Sequence, residues 1–229
     1  MIKRILFSIL FFFPAFLFAQ KPAVDTTSLG AKRLDILFAE RYNLLTKDST
    51  TFISLAGNVK VQQGKTFFYA DSAVLNRSLN MLEAFGNVHI NDADSVHTYA
   101  QYLKYLGKEK KAFLKNKVRL TDGKGTLTTE ELEYDVTIKI GTYLTGGKLV
   151  SKKSTLTSKE GYYYGDTKDV IFKKKVLMID PDTKITTDTL QYNTSTELTT
   201  FTAPTVIYNI KDKRTIRTRE GFYDMRNKK

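Results

Sequence analysis

The sequence predicts an all-β fold, an elongated solenoid of about six repeats of about 29 residues. Two similar stretches, LAGNVKV and AFGNVHI, begin 29 residues apart. The apolar and polar alternation within them is typical of a β-strand buried on one face. Short turns such as QQGK and TDGKG separate the strands. Repeats of this length, each too small to bury its own apolar face, indicate a stack of similar units.

Two columns of residues define the repeat. The first column, led by the Val of Gly-Asn-Val, is Val59, Val88, Val118, Leu149, Val176 and Val206, at spacings of 29, 30, 31, 27 and 30. The second column is Leu75, Tyr105, Tyr134, Tyr163, Tyr192 and Tyr223, at spacings of 30, 29, 29, 29 and 31. Both columns are expected to face the interior, and the same frame extends back to Leu44, half a repeat earlier.

The second strand of each repeat contains a change of phase. Apolar residues lie seven positions before the second column and small residues five before it, as in Phe68 and Ala70. Side chains alternate along a strand, so these positions and those at offsets two and zero cannot all face inward without a bulge or bend. The sequence predicts this corner at the polar residue between them, namely Asp71, Gln101, Glu130, Lys159, Asp188 and Arg219. Because its charge changes from copy to copy, the column predicts a corner and not a row of catalytic acids.

The N-terminus has the pattern of a secretory signal peptide. Lys3 and Arg4 precede an apolar run over residues 5–18, and Ala19 supplies a small residue for cleavage. We expect a signal peptide at 1–19, a flexible leader at 20–30 and the repeat domain at 31–229. A membrane anchor is the alternative, although the run is shorter than the ~20 residues that span a bilayer. The chain has no cysteine, which excludes a lipoprotein anchor and disulfides.

Composition narrows the function classes. The chain has 36 Lys and Arg against 24 Asp and Glu. In an exported protein this excess favours an anionic lipid, glycan or membrane surface over nucleic acid, with ordinary solubility as the alternative. His89 and His97 form either a metal pair or two ordinary turn residues, and NDADS is either a calcium loop or a polar turn. No pattern of a catalytic nucleophile or cofactor site recurs, so we expect no enzyme and no cofactor.

These residues carry a resemblance to a known family. A small residue, Gly-Asn-Val, any residue and an aliphatic, followed by stretches such as YADSAVLN, TTEELEYD and TTDTLQYN, resembles the repeat of the OstA/LptA family. The resemblance covers residues 36–224. The family comprises periplasmic lipopolysaccharide-transport proteins, and LptC and the periplasmic domain of LptD share its motif. The resemblance implies a twisted, V-shaped β-jellyroll with a hydrophobic interior open along one edge.

The resemblance also implies a function. Lipopolysaccharide acyl chains would occupy the interior, and jellyrolls of the transport machinery, including further copies of this chain, would join end to end between the two membranes. The expected location is the periplasm, with an association with the outer membrane left open. The candidate groove residues are Val59, Val61, Phe68, Leu75, Val88, Ile90, Leu103, Tyr105, Val118, Leu120, Leu127, Leu132, Tyr134, Leu149, Leu156, Tyr163, Val176, Met178, Ile185, Leu190 and Tyr192.

Cations at the mouth of the groove would meet lipid phosphates. The candidates are Lys60, Lys65, Lys104, Lys117, Arg119, Lys148, Lys173, Lys175 and Arg217. Two other classes stay open from the sequence. A parallel β-helix that acts on or adheres to carbohydrate would have a closed, dry core, and a structural periplasmic spacer would have no ligand.

Overall fold

The computed structural model describes residues 33–47, 50–92 and 96–227. The expected signal peptide and nearly all of the leader segment lie outside the described residues. Residues from 31 onward belong to one compact unit. Within the described ranges every regular element is a β-strand, and no helix there is long and apolar enough to span a membrane.

Eighteen strands form one antiparallel sheet, which confirms the all-β prediction. The strands are β1 (Asp35–Phe38), β2 (Arg41–Lys47), β3 (Thr50–Gln63), β4 (Thr66–Asn76), β5 (Met81–Asp92), β6 (Val96–Leu106), β7 (Lys111–Thr121), β8 (Thr126–Asp135), β9 (Ile140–Tyr143), β10 (Gly147–Ser151), β11 (Ser154–Ser158), β12 (Glu160–Tyr164), β13 (Asp169–Ile179), β14 (Thr183–Asn193), β15 (Leu198–Phe201), β16 (Thr205–Asn209), β17 (Arg214–Thr218) and β18 (Gly221–Asp224). The parallel β-helix alternative is wrong, because all pairings are antiparallel.

The sheet divides into two arms that share the long strands. The first arm contains β2, β9, β12, β15 and β18, the N-terminal halves of β3, β5, β7 and β13, and the C-terminal halves of β4, β6, β8 and β14. The second arm contains β1, β10, β11, β16, β17 and the other halves of the long strands. We call the line of bulges between the arms the hinge, and the opposite edge, where the hairpin turns of both arms lie, the mouth.

The hinge is built from paired residues in the left-handed backbone region. Ala56 pairs with Ser72 and Val59 with Ala70, so Gly57 and Asn58 lie opposite Asp71 alone. Gly57 and Asn58 have φ of 79° and 46°. The same geometry recurs at residues 86–87, 116–117 and 174–175. Such two-against-one bulges bend a strand and re-aim the side chains that follow.

The predicted corner is therefore correct in place and wrong in strand. Burial changes phase at the corner residue: Ala70 and Ala73 are buried, while Asp71 and Ser72 between them point outward. The extra residue, however, belongs to the Gly-Asn stretch of the neighbouring strand. Offset counting within one strand could detect the change of phase but could not locate the inserted residue across the pair. In the fourth and sixth repeats the bulge widens into breaks at 144–146 and 202–204.

Side-chain size explains the interior next to the hinge. Val59 pairs with Ala70, Val88 with Ala100 and Val118 with Thr129. The three valines lie on the same inner face, each at most 2% exposed. Small partners suit this line because the two arms converge there and leave little room between them.

The hinge glycine has a steric reason that can be tested. A Cβ on Gly86, whose φ is +70°, would lie 2.4 Å from Asp71 Oδ2, while one on Gly123, with φ +82°, would meet nothing within 4 Å. Gly123→Ala should cost about 1–2 kcal/mol of unfolding free energy from the backbone alone. Gly86→Ala should cost clearly more, because it also displaces the Asp71 carboxylate that accepts from Asn87 Nδ2 at 2.9 Å. Urea unfolding of both variants measures the difference, and equal losses would contradict the proposed hinge contact.

Candidate functional site

The space between the arms holds the candidate groove residues. All 21 of them lie in the buried core, and none is more than 6% exposed. They come from both arms and face one another across the interior, as shown by the rings of Phe68 and Tyr105, whose centroids are 4.7 Å apart. The structure thus brings the predicted set together in one apolar layer.

One inward row crosses the whole first arm. Successive register partners are Leu44, Ile53, Leu75, Leu82, Tyr105, Ala112, Tyr134, Gly141, Tyr163, Val170, Tyr192, Thr199 and Tyr223. From Tyr105 onward a tyrosine alternates with a smaller residue, which leaves space for each ring. The interior is therefore a continuous apolar track that runs perpendicular to the strands.

The track reaches both ends of the sheet and is exposed there. At the N-terminal end, Tyr42 and Leu44 continue inward rows of the first arm but are 53% and 58% exposed. At the C-terminal end, Ile216 pairs with Ile207 on the inner face and is 56% exposed. The same residue pattern that is buried in the middle of the sheet thus faces solvent on its last strands.

Tyrosine hydroxyls close the mouth from the first arm to the second. Tyr105 donates to Gln63 Oε1 at 2.5 Å, Tyr163 to Asp122 Oδ2 at 3.4 Å and Tyr192 to Ser151 Oγ at 3.2 Å. The Tyr223 hydroxyl lies 3.3 Å from Thr183 Oγ1. Three of these four partners end or follow second-arm strands, which places the bonds along the mouth. Tyr134 Oη is buried and has no hydrogen-bond partner within the described ranges.

Burial keeps these hydroxyls protonated. It raises the pKa of Tyr105, Tyr134 and Tyr163 well above the usual value, and nearby carboxylates add to the effect. Burial also raises the pKa of Tyr192, and it raises that of Tyr143 to about 12. The phenols remain hydrogen-bond donors at any physiological pH.

Asp122 is the best-connected residue of the mouth. Its Oδ1 accepts the N–H groups of Lys124 and Gly125 at 3.0 Å, and its Oδ2 accepts Thr194 Oγ1 at 3.1 Å in addition to Tyr163. Burial alone would raise the pKa of this carboxyl, but the hydrogen bonds, together with the charge of Lys168, bring it below its usual value. Asp122 therefore fastens a second-arm turn to two first-arm elements.

Two further side-chain contacts join the turns of the two arms. Lys124 Nζ donates to Ser195 Oγ at 2.9 Å, and Lys152 Nζ pairs with Glu197 Oε1 at 2.5 Å. We call these two contacts, with Asp122 and its partners, the clasp. Their Lys residues are exposed, so each contact is of the modest strength typical of surface pairs.

The interior is filled in this conformation. Below Asp122 a void of about 10 Å³, enough for about one water, is lined by Leu120, Leu127, Leu149, Tyr163 and Val170 among others. A recess of about 460 Å³ at the mouth lies between the turns that carry Lys152, Lys153, Asp180, Glu197 and Arg226. An elongated ligand can therefore enter the apolar layer only if the arms separate.

The predicted cations lie mostly away from the mouth. Lys65 occupies a second-arm turn at the mouth, between β3 and β4, as expected. The others lie on outer faces or at the hinge, at Lys60, Lys104, Lys117, Arg119, Lys148, Lys173, Lys175 and Arg217. Their placement at the mouth was wrong because they occupy outward positions or bulges. Lys152, Lys153 and Arg226 line the mouth instead, and only their position in turns could have indicated it.

The two histidines lie on the outer face of the second arm. His89 Nε2 and His97 Nδ1 are 3.0 Å apart on adjacent strands, which corrects their placement in turns. Burial lowers the pKa of His89, and the neighbouring His97 and Arg119 lower it further. Within the described ranges no group of three or more His, Asp or Glu could hold a metal ion. The NDADS segment falls partly outside those ranges.

Comparison with known proteins identifies one family. A family model described as OstA-like protein matches residues 33–188. No curated protein matches the sequence. A similar solved structure is the crystal structure of LptH from Pseudomonas aeruginosa, described as the LptA homologous periplasmic component of the conserved lipopolysaccharide transport device. It is 14% identical with a TM-score of 0.42, and the match covers 45% of this chain and 79% of that one.

Proposed function

The chain belongs to the OstA-like protein family, and from that premise we propose that it is a periplasmic carrier that holds the acyl chains of lipopolysaccharide between its two arms. The observation that carries this proposal is the continuous apolar track, buried in the middle of the sheet and exposed at both ends. No catalytic step is assigned to it.

An acyl chain suits this track because it offers no hydrogen bonds and needs only continuous apolar surface. Burial contributes about 0.8 kcal/mol per CH₂. Since one repeat presents much the same side chains as the next, a lipid can move along the track without meeting a deep trap. The tyrosine hydroxyls at the mouth lie where the acyl chains would give way to the polar head.

Loading requires the mouth to open, and its bonds are suited to that. Each hydrogen bond of the mouth contributes only about 0.5–1.5 kcal/mol net, since water replaces it on opening. The apolar faces that separate are covered again by the incoming acyl chains, so most of the hydrophobic burial is recovered. The hinge bonds, by contrast, stay intact because they lie on the opposite edge of the arms.

Cations at the mouth complete the lipid site. Lys65, Lys152 and Lys153 lie in second-arm turns, and Arg226 follows β18. Lys152 already holds Glu197, so a phosphate that displaced this carboxylate would also release one contact of the clasp. In this proposal headgroup binding and opening of the mouth support each other.

The ends of the sheet are the proposed partner surfaces. Within the described ranges β1 and β2 pair only with β3, while β17 pairs only with β16 and β18 only with β15. Exposed edges of this kind recruit further strands. A second copy, or another jellyroll of the transport machinery, would continue both the sheet and the apolar track.

Bridging the clasp should block lipid binding. The native chain has no cysteine, so Asp122→Cys with Thr194→Cys gives one pair across the mouth, where the native oxygens are 3.1 Å apart. Joined by a short reducible bis-thiosulfonate, this variant should bind lipopolysaccharide at least about tenfold more weakly than its reduced form, because the arms cannot separate. Binding is measured by titration with intact and with fully deacylated lipopolysaccharide.

The matched control bridges two strands of one arm. Thr121→Cys with Thr126→Cys replaces hydroxyls 3.5 Å apart on β7 and β8 of the second arm, and its bridge should leave binding unchanged. Equal binding of intact and deacylated lipopolysaccharide would contradict an acyl site and favour a carbohydrate-binding protein. Absence of binding by the unmodified chain would favour the structural spacer.

End-to-end association should depend on the exposed end of the track. Ile216→Lys places a charge on the inner face of the last strands, whereas Ile138→Lys changes an equally exposed residue, 58% against 56%, in a turn of the first arm. Sedimentation equilibrium over a wide concentration range should show growing assemblies for the native chain and for Ile138→Lys. Ile216→Lys should remain monomeric, and assemblies of unchanged size in that variant would exclude this end as the contact.

A further inference from the structure

The outer face of the second arm lacks carboxylates. Its outward positions on β3 to β17 carry Lys, Arg, His, Thr, aromatic and aliphatic residues, together with Gln62 and Asn91, and no Asp or Glu. The nearest acids, such as Asp71 and Glu130, belong to the hinge, where they accept from Asn87 Nδ2 and from the Lys117 N–H.

The outer face of the first arm is different, although it belongs to the same sheet. It alternates acids with bases, and Lys111 pairs with Glu133 at 3.2 Å and Lys115 with Glu131 at 3.0 Å. Mixed charges of this kind are typical of a surface that only needs to be soluble. The excess positive charge of the chain is therefore not spread evenly over the two arms.

The exposed cations of the second arm are not neutralised. Arg119, Lys148 and Lys184 are exposed and form no ion pair within the part of the chain that the structure describes. Arg119 lies over the ring of Tyr99 at 4.1 Å, which fixes its guanidinium on the face. Cations without internal partners are available to an external anion.

Aromatic rings hold the first half of this face together. Tyr69, His89 and Tyr99 are register partners on neighbouring strands, with ring centroids 5.4 Å and 4.4 Å apart. Lys60 lies over Tyr69 at one end of this row, and Arg119 lies over Tyr99 at the other. The row therefore has a cation at each end and phenol hydroxyls between them.

Aliphatic side chains occupy the second half, nearer the mouth. Val150, Ile179 and Tyr208 are 40%, 43% and 37% exposed on the same face. A soluble polyanion would gain nothing from these groups. A bilayer surface offers phosphates to the cations and, just below them, an apolar layer to the aliphatic and aromatic side chains.

We propose that the outer face of the second arm docks on a bilayer leaflet that contains anionic phospholipid. The docking is separate from the lipid site between the arms, because the side chains involved point to the opposite side of the same strands. It would hold the chain along a membrane while the mouth and both ends of the sheet remain accessible.

Vesicle sedimentation tests this surface. The chain expressed from residue 31, the compact unit that contains the whole core, is mixed with phosphatidylcholine vesicles with and without phosphatidylglycerol. It should sediment with the anionic vesicles only, and less as salt is raised. Arg119→Glu with Lys148→Glu should weaken this binding by about tenfold or more, and Arg119→Gln with Lys148→Gln should weaken it less.

The control carries the same change of net charge on the other arm. Lys111→Glu with Lys115→Glu should bind the anionic vesicles nearly as well as the native chain, and circular dichroism checks that all variants are folded. Equal losses in the two Glu variants, or no binding to anionic vesicles at low salt, would overturn the proposal. Preferential binding of soluble dextran sulfate over the vesicles would also overturn it, in favour of a soluble polyanion. The vesicles contain no lipopolysaccharide, so either outcome leaves the carrier proposal to its own test.

Discussion

The fold depends on one backbone constraint, the pair of left-handed residues at each hinge bulge. Without that insertion a strand would keep one phase along its length, and inward positions such as Ala70 and Ala73 could not both be buried. With it, each long strand contributes to two arms that face each other. The carboxylate opposite the bulge then bonds the amide of its Asn, as in Asn58 with Glu40 at 2.6 Å and Asn87 with Asp71 at 2.9 Å. The interior, the mouth and the ends are consequences of this bend.

The two long edges of the folded sheet differ in strength, and the proposed function uses the difference. The hinge is continuous backbone, whereas the mouth is joined by side-chain contacts, several of them through exposed Lys or turn residues. Opening at the mouth therefore costs a few modest polar interactions, and acyl chains restore the apolar burial. A dry, filled interior is what such a carrier should show when no lipid is bound. The exposed end residues Leu44 and Ile216 extend the same apolar surface toward a neighbour.

Periodicity made the interior predictable from sequence, because burial on one face imposes a period of two and the repeat returns it every 29 or so residues. Val59, Val88 and Val118 could thus be placed on one inner face before any coordinates. The clasp could not, since Asp122 and Thr194 are distant in sequence and join only when the arms fold together. The Lys174 and Lys175 bulge was hidden because neither residue is the Gly or Asn that usually marks a left-handed backbone. The cations were misplaced because periodicity separates inside from outside but not mouth from outer face.

The central claim is that lipid lies between the arms, and adjacent residues of β4 test it most directly. Phe68 faces the interior at 2% exposure, while Phe67 faces outward beneath Lys60. Each is replaced in turn by the photoreactive p-benzoyl-phenylalanine, and the chain is irradiated with lipopolysaccharide. The account predicts that the Phe68 variant cross-links to the lipid and that the Phe67 variant does not. Cross-linking from Phe67 with none from Phe68 would contradict it.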